Sequence, residues 1–278
     1  MTHANVPSIA LNDGTRIPQL GFGVWQVPDD EAEKVVGEAL GIGYRHIDTA
    51  RIYENEEGVG RAVKASGIAR SELFITTKLW NTDQGRETTL RAFEGSLRRL
   101  GSEYVDLYLI HWPAPSKDRY VETWKAMQEI KATGRARSVG VSNFGPEHLE
   151  RLVKETGVVP PINQIELHPR FAQKDHRSAH QRHAIATESW SPLGQGKILS
   201  EPVLKTIATK HGKSTAQVIL RWHLQHGFVV IPKSVTPSRI AENFDVFGFA
   251  LDAGDMTSIE ALDSADGRVG PNPLTASF

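Results

Sequence analysis

Asp48, Tyr53, Lys78 and His111 have the types and the spacing to act on one another. Asp48 closes the run Arg45-His46-Ile47-Asp48, Lys78 closes Phe74-Ile75-Thr76-Thr77-Lys78, and His111 closes Val105-Asp106-Leu107-Tyr108-Leu109-Ile110-His111. Each run reads as a short buried strand, and successive ends lie roughly thirty residues apart, the length of one strand–helix–strand unit. Neighbouring parallel strands would open those ends on one face, and the loop after Asp48 would carry Tyr53 there. A free phenol, with a pKa of about 10, is a poor proton donor at neutral pH. A neighbouring ammonium lowers that value, and Lys78 can supply it. Burial tends to strip the proton from Lys78, and pairing with Asp48 offsets that tendency. His111 can donate or accept through either ring nitrogen and so orient a carbonyl oxygen. Together the four describe a site that stabilises a developing alkoxide and then protonates it. None of them is an electron source, so reduction of a carbonyl needs a hydride-donating cofactor.

The elements that must position these groups alternate along the chain. Candidate strands fall at 20–24, 45–49, 74–78, 105–111, 137–142, 162–167, 185–190 and 228–232. They are apolar, rich in Val and Ile, and lack strict in/out alternation, as buried parallel strands do. Helical stretches separate them. One runs from Asp29 to Leu40 and stops at Gly41; the next is capped by Asn55 and ends before Gly67. Leu90, Phe93, Leu97 and Leu100 form a helical stripe closed by Gly101, and Val121, Trp124, Met127 and Ile130 form another, ended by Gly134. Further helices are expected from Pro146 to Thr156, over 172–182, and from Thr215 to Gln225 behind the capping box Ser214–Gln217. Eight such units argue for an α/β (β/α)8 TIM barrel. A doubly wound sheet is the rival, but Gly21-Phe22-Gly23 and Gly41-Ile42-Gly43 both lack the third glycine of its dinucleotide signature. Residues 1–18 read as an N-terminal β-hairpin capping the bottom of the barrel, and 265–278 as a C-terminal loop of a single 1–278 domain.

Composition narrows the function classes. Lys plus Arg number 32 and Asp plus Glu 33, so net charge is near zero, and no basic block points to nucleic acid. Cysteine is absent, which excludes disulfides, thiol catalysis and cysteine-ligated metals and fits a reducing compartment. No run resembles a signal peptide or a membrane span, so a cytoplasmic protein is expected.

A second constellation lies near the last strand. Thr236 and Pro237 suit the N-cap and first turn of a short helix, and Lys233, Ser234 and Arg239 crowd donors and charge around its free N–H groups. This is an anion site, and two cations there favour the phosphorylated nicotinamide dinucleotide over the plain one. Trp190 ends the seventh barrel strand and offers a flat face to a nicotinamide ring. Trp25, Trp80 and Trp112 follow strand ends and would wall an apolar pocket above it.

The chain resembles the aldo-keto reductase family. The segments that carry the resemblance are Leu20-Gly21-Phe22-Gly23, Gly43-Tyr44-Arg45-His46-Ile47-Asp48-Thr49-Ala50, Leu107-Tyr108-Leu109-Ile110-His111-Trp112-Pro113, Val139-Gly140-Val141-Ser142-Asn143-Phe144, Asn163-Gln164-Ile165-Glu166-Leu167-His168-Pro169 and Ile231-Pro232-Lys233-Ser234. The run Glu188-Ser189-Trp190-Ser191-Pro192-Leu193-Gly194 is similar to that of the bacterial 2,5-diketo-D-gluconate reductases. The resemblance implies a monomeric barrel that transfers hydride from NADPH to an aldehyde or ketone. It implies Tyr53 as proton donor tuned by Asp48 and Lys78, with His111 positioning the carbonyl. Ser142, Asn143 and Gln164 would hold the carboxamide, with Trp190 stacked on the nicotinamide. Lys233, Ser234, Arg239, Glu242 and Asn243 would hold the 2′-phosphate and adenine, and Gly23, Val24, Ser191, Leu193, Gly194 and Val235 complete the implied cofactor contacts. A short polar segment after Asp266 suggests an open pocket for small polar carbonyls such as sugar acids, with Trp25, Trp80 and Trp112 as substrate contacts.

Plainer readings exist for each residue. An aspartate at a strand end often only caps a helix, and a loop tyrosine often only packs. A lysine at a strand end can form a Schiff base, as in barrel aldolases. His46 and Asp48 with His111 and His168 suggest a metal-dependent hydrolase, which leaves Lys78 and the Lys233 region without a role. A cofactor-binding regulatory subunit would keep the barrel without turnover. His176, His180 and His183 share a helical spacing that reads as exposed surface.

Overall fold

The computed structural model describes residues 6–276 and 278, so residues 1–5 of the expected hairpin region and 277 of the expected C-terminal loop lie outside the described residues. The chain opens with an antiparallel hairpin of β1 (Ser8–Ala10) and β2 (Arg16–Pro18), with Ile9 opposite Ile17. Asn12 and Asp13 at its turn anchor it. Asn12 Nδ2 donates to the carbonyls of Pro160 and Ala184, while Asp13 pairs with Lys131 at 2.6 Å and accepts from Ser138 Oγ at 2.8 Å. Leu11 and Ile17 then pack with Phe74, Leu107, Leu109, Ile162 and Val229, closing the lower end of the barrel with apolar side chains.

Eight parallel strands follow: β3 (Phe22–Gly23), β4 (His46–Asp48), β5 (Phe74–Leu79), β6 (Val105–Ile110), β7 (Ala136–Ser142), β8 (Ile162–Glu166), β9 (Ala186–Trp190) and β10 (Val229–Val230). They are hydrogen-bonded in sequence order. The sheet closes on itself where Leu20 bridges Val230 and the Gly21 N–H donates to the Val230 carbonyl at 2.9 Å. This is a (β/α)8 barrel.

Strand alternation sorts the side chains. In β5, Ile75 and Leu79 face the helices and join the main core, while Phe74, Thr76 and Lys78 face inward from bottom to top. Tyr108 and Ile110 of β6 likewise face outward, leaving Leu107 and Leu109 to the interior. The interior therefore changes from apolar at the hairpin end to polar at the opposite mouth. That gradient is what places the candidate chemistry.

Ten helices surround the strands among the described residues: α1 (Asp29–Ile42), α2 (Glu56–Ala65), α3 (Arg86–Leu100), α4 (Tyr120–Ala132), α5 (Pro146–Thr156), α6 (Lys174–Arg182), α7 (Pro202–His211), α8 (Thr215–Gln225), α9 (Pro237–Phe244) and α10 (Ala253–Glu260). The α3 stripe is buried as expected, and Gly101 ends the helix in the left-handed region at φ 59°. The Ser214–Gln217 capping box is present on α8. Three expectations change. α1 runs through Gly41 to Ile42, with Gly43 as its C-cap, because Ile42 still packs against the main core. Sequence reading passes over α7 and α10. In α7, Leu204, Ile207 and Ala208 keep helical spacing but pack, with Ile259 of α10, into a separate apolar cluster away from the barrel alternation.

Asn55 precedes α2 but its side chain does not cap it. Instead Nδ2 donates to the carbonyls of Val24 and Val27 at 2.9 and 2.8 Å, and Oδ1 accepts from Thr49 Oγ1 at 2.7 Å. Fully buried, it ties the loops after β3 and β4 together and so fixes the segment that carries Tyr53. Asn55→Ala orphans two carbonyls and a hydroxyl and is expected to lower stability by about 2–4 kcal/mol, read from the urea unfolding midpoint.

Candidate active site

The polar mouth brings the four predicted residues together. Lys78, fully buried at the top of β5, donates from Nζ to Asp48 Oδ1 at 2.6 Å and to the Thr49 carbonyl at 2.9 Å. The same ammonium lies 5.0 Å from the centre of the Tyr53 ring. Tyr53 sits in a short 3-10 turn, Arg51–Tyr53, directly after β4. Its ring meets that of His111 edge-on, with centroids 5.6 Å apart. Asp48 Oδ2 accepts from Gln164 Nε2 at 2.9 Å, so both of its oxygens are engaged.

Burial dominates the electrostatics. It pushes the Lys78 pKa down, but the charge of Asp48 and the bond to it, with a contribution from Tyr53 only once that phenol ionises, outweigh it, so Lys78 holds its proton above the ordinary lysine value. Burial also lifts the Tyr53 phenol. Lys78 pulls it down and Asp48 lifts it again, leaving a net rise. The expectation that the ammonium leaves Tyr53 more acidic than a free phenol is therefore corrected: desolvation is larger than the attraction, and the phenol is held protonated. Burial, then the Lys78 charge, pushes His111 well below the ordinary histidine value, so its imidazole is neutral and offers one N–H.

A hydrogen-bonded chain runs from this cluster around the mouth. Ser142 Oγ donates to the Gln164 carbonyl at 2.8 Å, and Asn143 Nδ2 donates to Ser142 Oγ and to the His111 carbonyl. Trp190 Nε1 donates to Asn143 Oδ1 at 2.8 Å, which fixes the plane of the indole. Ser142, Asn143, Gln164 and Trp190 thus converge as predicted. Gly23 and Val24 lie buried beside them, with the Val24 N–H donating to the Asp48 carbonyl at 3.1 Å. Ser191, Leu193 and Gly194 form the turn after β9, where the Gly194 N–H returns to the Ser191 carbonyl at 2.9 Å.

Lys233, Val235 and Arg239 are exposed around the start of α9, and among the described residues no ion pair engages Lys233 or Arg239. Thr236 takes the N-cap position without a side-chain cap bond, and Ser234 Oγ accepts from the Thr236 N–H at 3.1 Å. Pro237 has no N–H and the Arg239 N–H donates to the Thr236 carbonyl at 3.0 Å, which leaves the Ser238 N–H available at the start of α9. Asn243 is buried, and Glu242 accepts from Ser214 Oγ.

The aromatic wall differs from expectation. Trp80 and Trp112 flank His111 with centroids 5.3 and 6.4 Å away, whereas Trp25 is 44% exposed and touches none of these rings. Phe278 stacks on Trp80 at 5.7 Å and meets Trp112 edge-on at 5.1 Å, and the Phe278 carbonyl accepts from Asn81 Nδ2. The short C-terminal segment therefore folds across the mouth and narrows it, correcting the open pocket inferred from its length and polarity. Glu166 holds that segment. Its buried carboxylate accepts from the N–H groups of Val269 and Gly270 at 2.6 and 2.9 Å, with His168 Nε2 at 3.2 Å. Gly270 lies against the Trp190 indole, where an added Cβ would come within 2.4 Å of the ring.

Sequence reading gave Glu166, Glu188, Asn81 and Phe278 no role. The available signal was charge: Glu166 and Glu188 interrupt otherwise buried strands, and a buried carboxylate needs a donor. His180 is also corrected. It is buried rather than exposed, its ring nitrogens engaged by Thr187 Oγ1 at 2.8 Å and Asn163 Nδ2 at 2.9 Å, because α6 packs against β9.

A barrel of this topology hosts many chemistries, and comparison with known proteins shows which one this polar mouth belongs to, an oxidoreductase's. The Aldo/keto reductase family profile matches residues 19–264. An aldo-keto reductase of Mycolicibacterium smegmatis is 56% identical over 272 residues, covering 98% of this chain and 98% of that protein. Methylglyoxal reductase DkgA of Escherichia coli is 52% identical over 272 residues, covering 97% of this chain and 98% of that protein. The solved structure of a Gox0644 mutant in complex with NADPH superposes with a TM-score of 0.96 at 55% identity, covering 99% of this chain and 100% of the other. The chain belongs to the aldo/keto reductase family.

The Glu166 contacts generate a test. Glu166→Gln keeps the shape but removes the charge that two backbone N–H groups share. Hydrogen exchange at Val269 and Gly270 is expected to accelerate about tenfold or more while the far-ultraviolet circular dichroism stays constant.

Proposed function

We propose that the protein is an NADPH-dependent carbonyl reductase for small polar aldehydes and ketones, keto sugar acids such as 2,5-diketo-D-gluconate being the expected class. The observation that carries this reading is the buried Lys78–Asp48 pair beneath a protonated Tyr53, with neutral His111 against the same ring. NADPH, when bound, supplies the hydride that no side chain can. Ser142, Asn143 and Gln164 would hold its carboxamide, the fixed Trp190 plane would support the nicotinamide, and the turn at Ser191, Leu193 and Gly194 would pass along its phosphates. Lys233 and Arg239, free of ion pairs among the described residues, suit a 2′-phosphate at the uncapped start of α9. Ser234, Val235, Glu242 and Asn243 would complete the adenosine end.

On the protein side, the neutral His111 N–H directs the substrate carbonyl oxygen toward the Tyr53 hydroxyl. As charge grows on that oxygen, the phenol gives up its proton, and the Lys78 ammonium stabilises the phenolate left behind. Asp48 keeps the ammonium in place. Trp80, Trp112 and Phe278 exclude water and limit substrate size, which favours compact carbonyl compounds. Methylglyoxal reduction, for which DkgA is named, fits the same narrow mouth. We assign the protein to the cytoplasm, in keeping with its lack of cysteine, and take it as a monomer, as the family resemblance implies.

Tyr53→Phe removes the proton donor and leaves the anion site intact. Turnover of a small aldehyde is expected to fall about a hundredfold or more, with NADPH affinity held within about twofold. Turnover comparable with the parent would overturn the assignment. Arg239→Ala is expected to weaken NADPH by about tenfold or more and NADH hardly at all, measured by fluorescence titration of each cofactor.

A further inference from the structure

Glu188 has no part in the chemistry above, yet it stands inside the barrel beside it. It lies in β9 in register with Gln164 of β8 and Val229 of β10, on the same strand face as Trp190. It is fully buried, and neither carboxyl oxygen has a hydrogen-bond partner among the described residues. His46 Nε2 is 3.8 Å from Oε1, but burial holds that imidazole neutral, with a pKa pushed down to about 3, and the same nitrogen meets Thr76 Oγ1 at 3.1 Å. The groups around Glu188 are Asp48 and His46 from β4, Tyr53 from the turn after β4, Lys78 from β5 and the Gln164 amide from β8; β10 presents only Val229. One ammonium therefore feels two carboxyl groups, and it is hydrogen-bonded to Asp48 and not to Glu188.

We propose that Glu188 is a positioning residue of this cluster: uncharged, it leaves the Lys78 ammonium to Asp48 and Tyr53; ionised, it draws that ammonium toward a second carboxylate and away from the phenol. An unpartnered carboxylate in the barrel interior is costly, so the acid form is the resting one. Burial, reinforced by the charge of Asp48, raises the Glu188 pKa to about 8, against the pull of Gln164 and Lys78. Ionisation releases its proton to solvent and breaks no substrate bond. The negative charge then lifts the Tyr53 phenol further, so proton donation weakens as pH rises. This inference rests on the carbonyl-reduction reading.

Two measurements test it. In wild-type protein carrying carbon-13-labelled glutamate, one carboxyl resonance is expected to titrate above neutrality and to be missing from Glu188→Gln. Carbonyl reduction, followed between about pH 6 and about pH 10, is expected to fall with pH at least about threefold more steeply in wild type than in Glu188→Gln. Stability follows the same sign. An unfolded glutamate ionises near 4.5 and the folded one near 8, so wild type loses melting temperature relative to Glu188→Gln as pH climbs through that window, a difference in which the opposite contribution of the buried neutral histidines, common to both proteins, cancels. Glu188→Leu, equally unable to ionise, serves if the glutamine variant does not fold. Absence of a glutamate titrating above neutrality, or an unchanged pH profile in the variants, overturns the proposal. The resonance is read without turnover, so its failure is distinct from failure of the reductase reading, which Tyr53→Phe tests.

Discussion

A lysine ammonium sealed inside a protein must have a counter-charge, and the pairing of Lys78 with Asp48 at 2.6 Å is the constraint around which the barrel mouth is arranged. Neither partner is tolerable alone. The pair forms because β4 and β5 are neighbours in register, with Asp48 opposite Thr76 and Lys78 one inward position higher. A slip of one residue would turn Lys78 out among the apolar helices and leave Asp48 unpaired. The remaining reach of the ammonium is directed to the Thr49 carbonyl and the Tyr53 ring, so one buried charge fixes a carboxylate, a backbone turn and a phenol together.

The same charge reaches farther through hydrogen bonds. Gln164 links Asp48 to β8, Ser142 links Gln164 to β7, and Asn143 links Ser142 to the His111 carbonyl and to Trp190. The residues proposed to hold a nicotinamide and those proposed to move a proton therefore belong to one connected network. Cofactor placement and proton donation need not be tuned separately. The neutral state of His111 belongs to the same design, since a second cation beside Lys78 is disfavoured twice, by burial and by repulsion.

Much of this was legible in the chain. Strand ends at Asp48, Lys78 and His111 could be read because parallel buried strands carry few charges, and a charge at the end of such a run marks the barrel mouth. Gly101 and the Ser214–Gln217 box marked helix ends because each has one strong local solution. What escaped was non-local. Asn55 looks like a cap in sequence, but its partners at Val24, Val27 and Thr49 come from tertiary folding. The balance on Tyr53 could not be judged either, because the ammonium is visible in sequence and the depth of burial is not. His180 read as surface since its neighbours are polar, yet α6 turns that one face against Thr187 and Asn163. The C-terminal fold-back was hidden for a related reason: a short polar segment carries no periodicity to say where it lies.

Glu166 grips that segment through the main-chain amides of Val269 and Gly270, and a carboxylate that reads amides is indifferent to most of the side chains attached to them. Apart from Gly267, which must stay small against the Arg170 carbonyl, and Gly270, which must stay small beside Trp190, the strip over the mouth can change its residues and keep its seat. Anchorage and selectivity are thereby separated, so a lineage can exchange the ring presented by Phe278 for another group, and with it the compounds admitted, while the barrel beneath stays as it is.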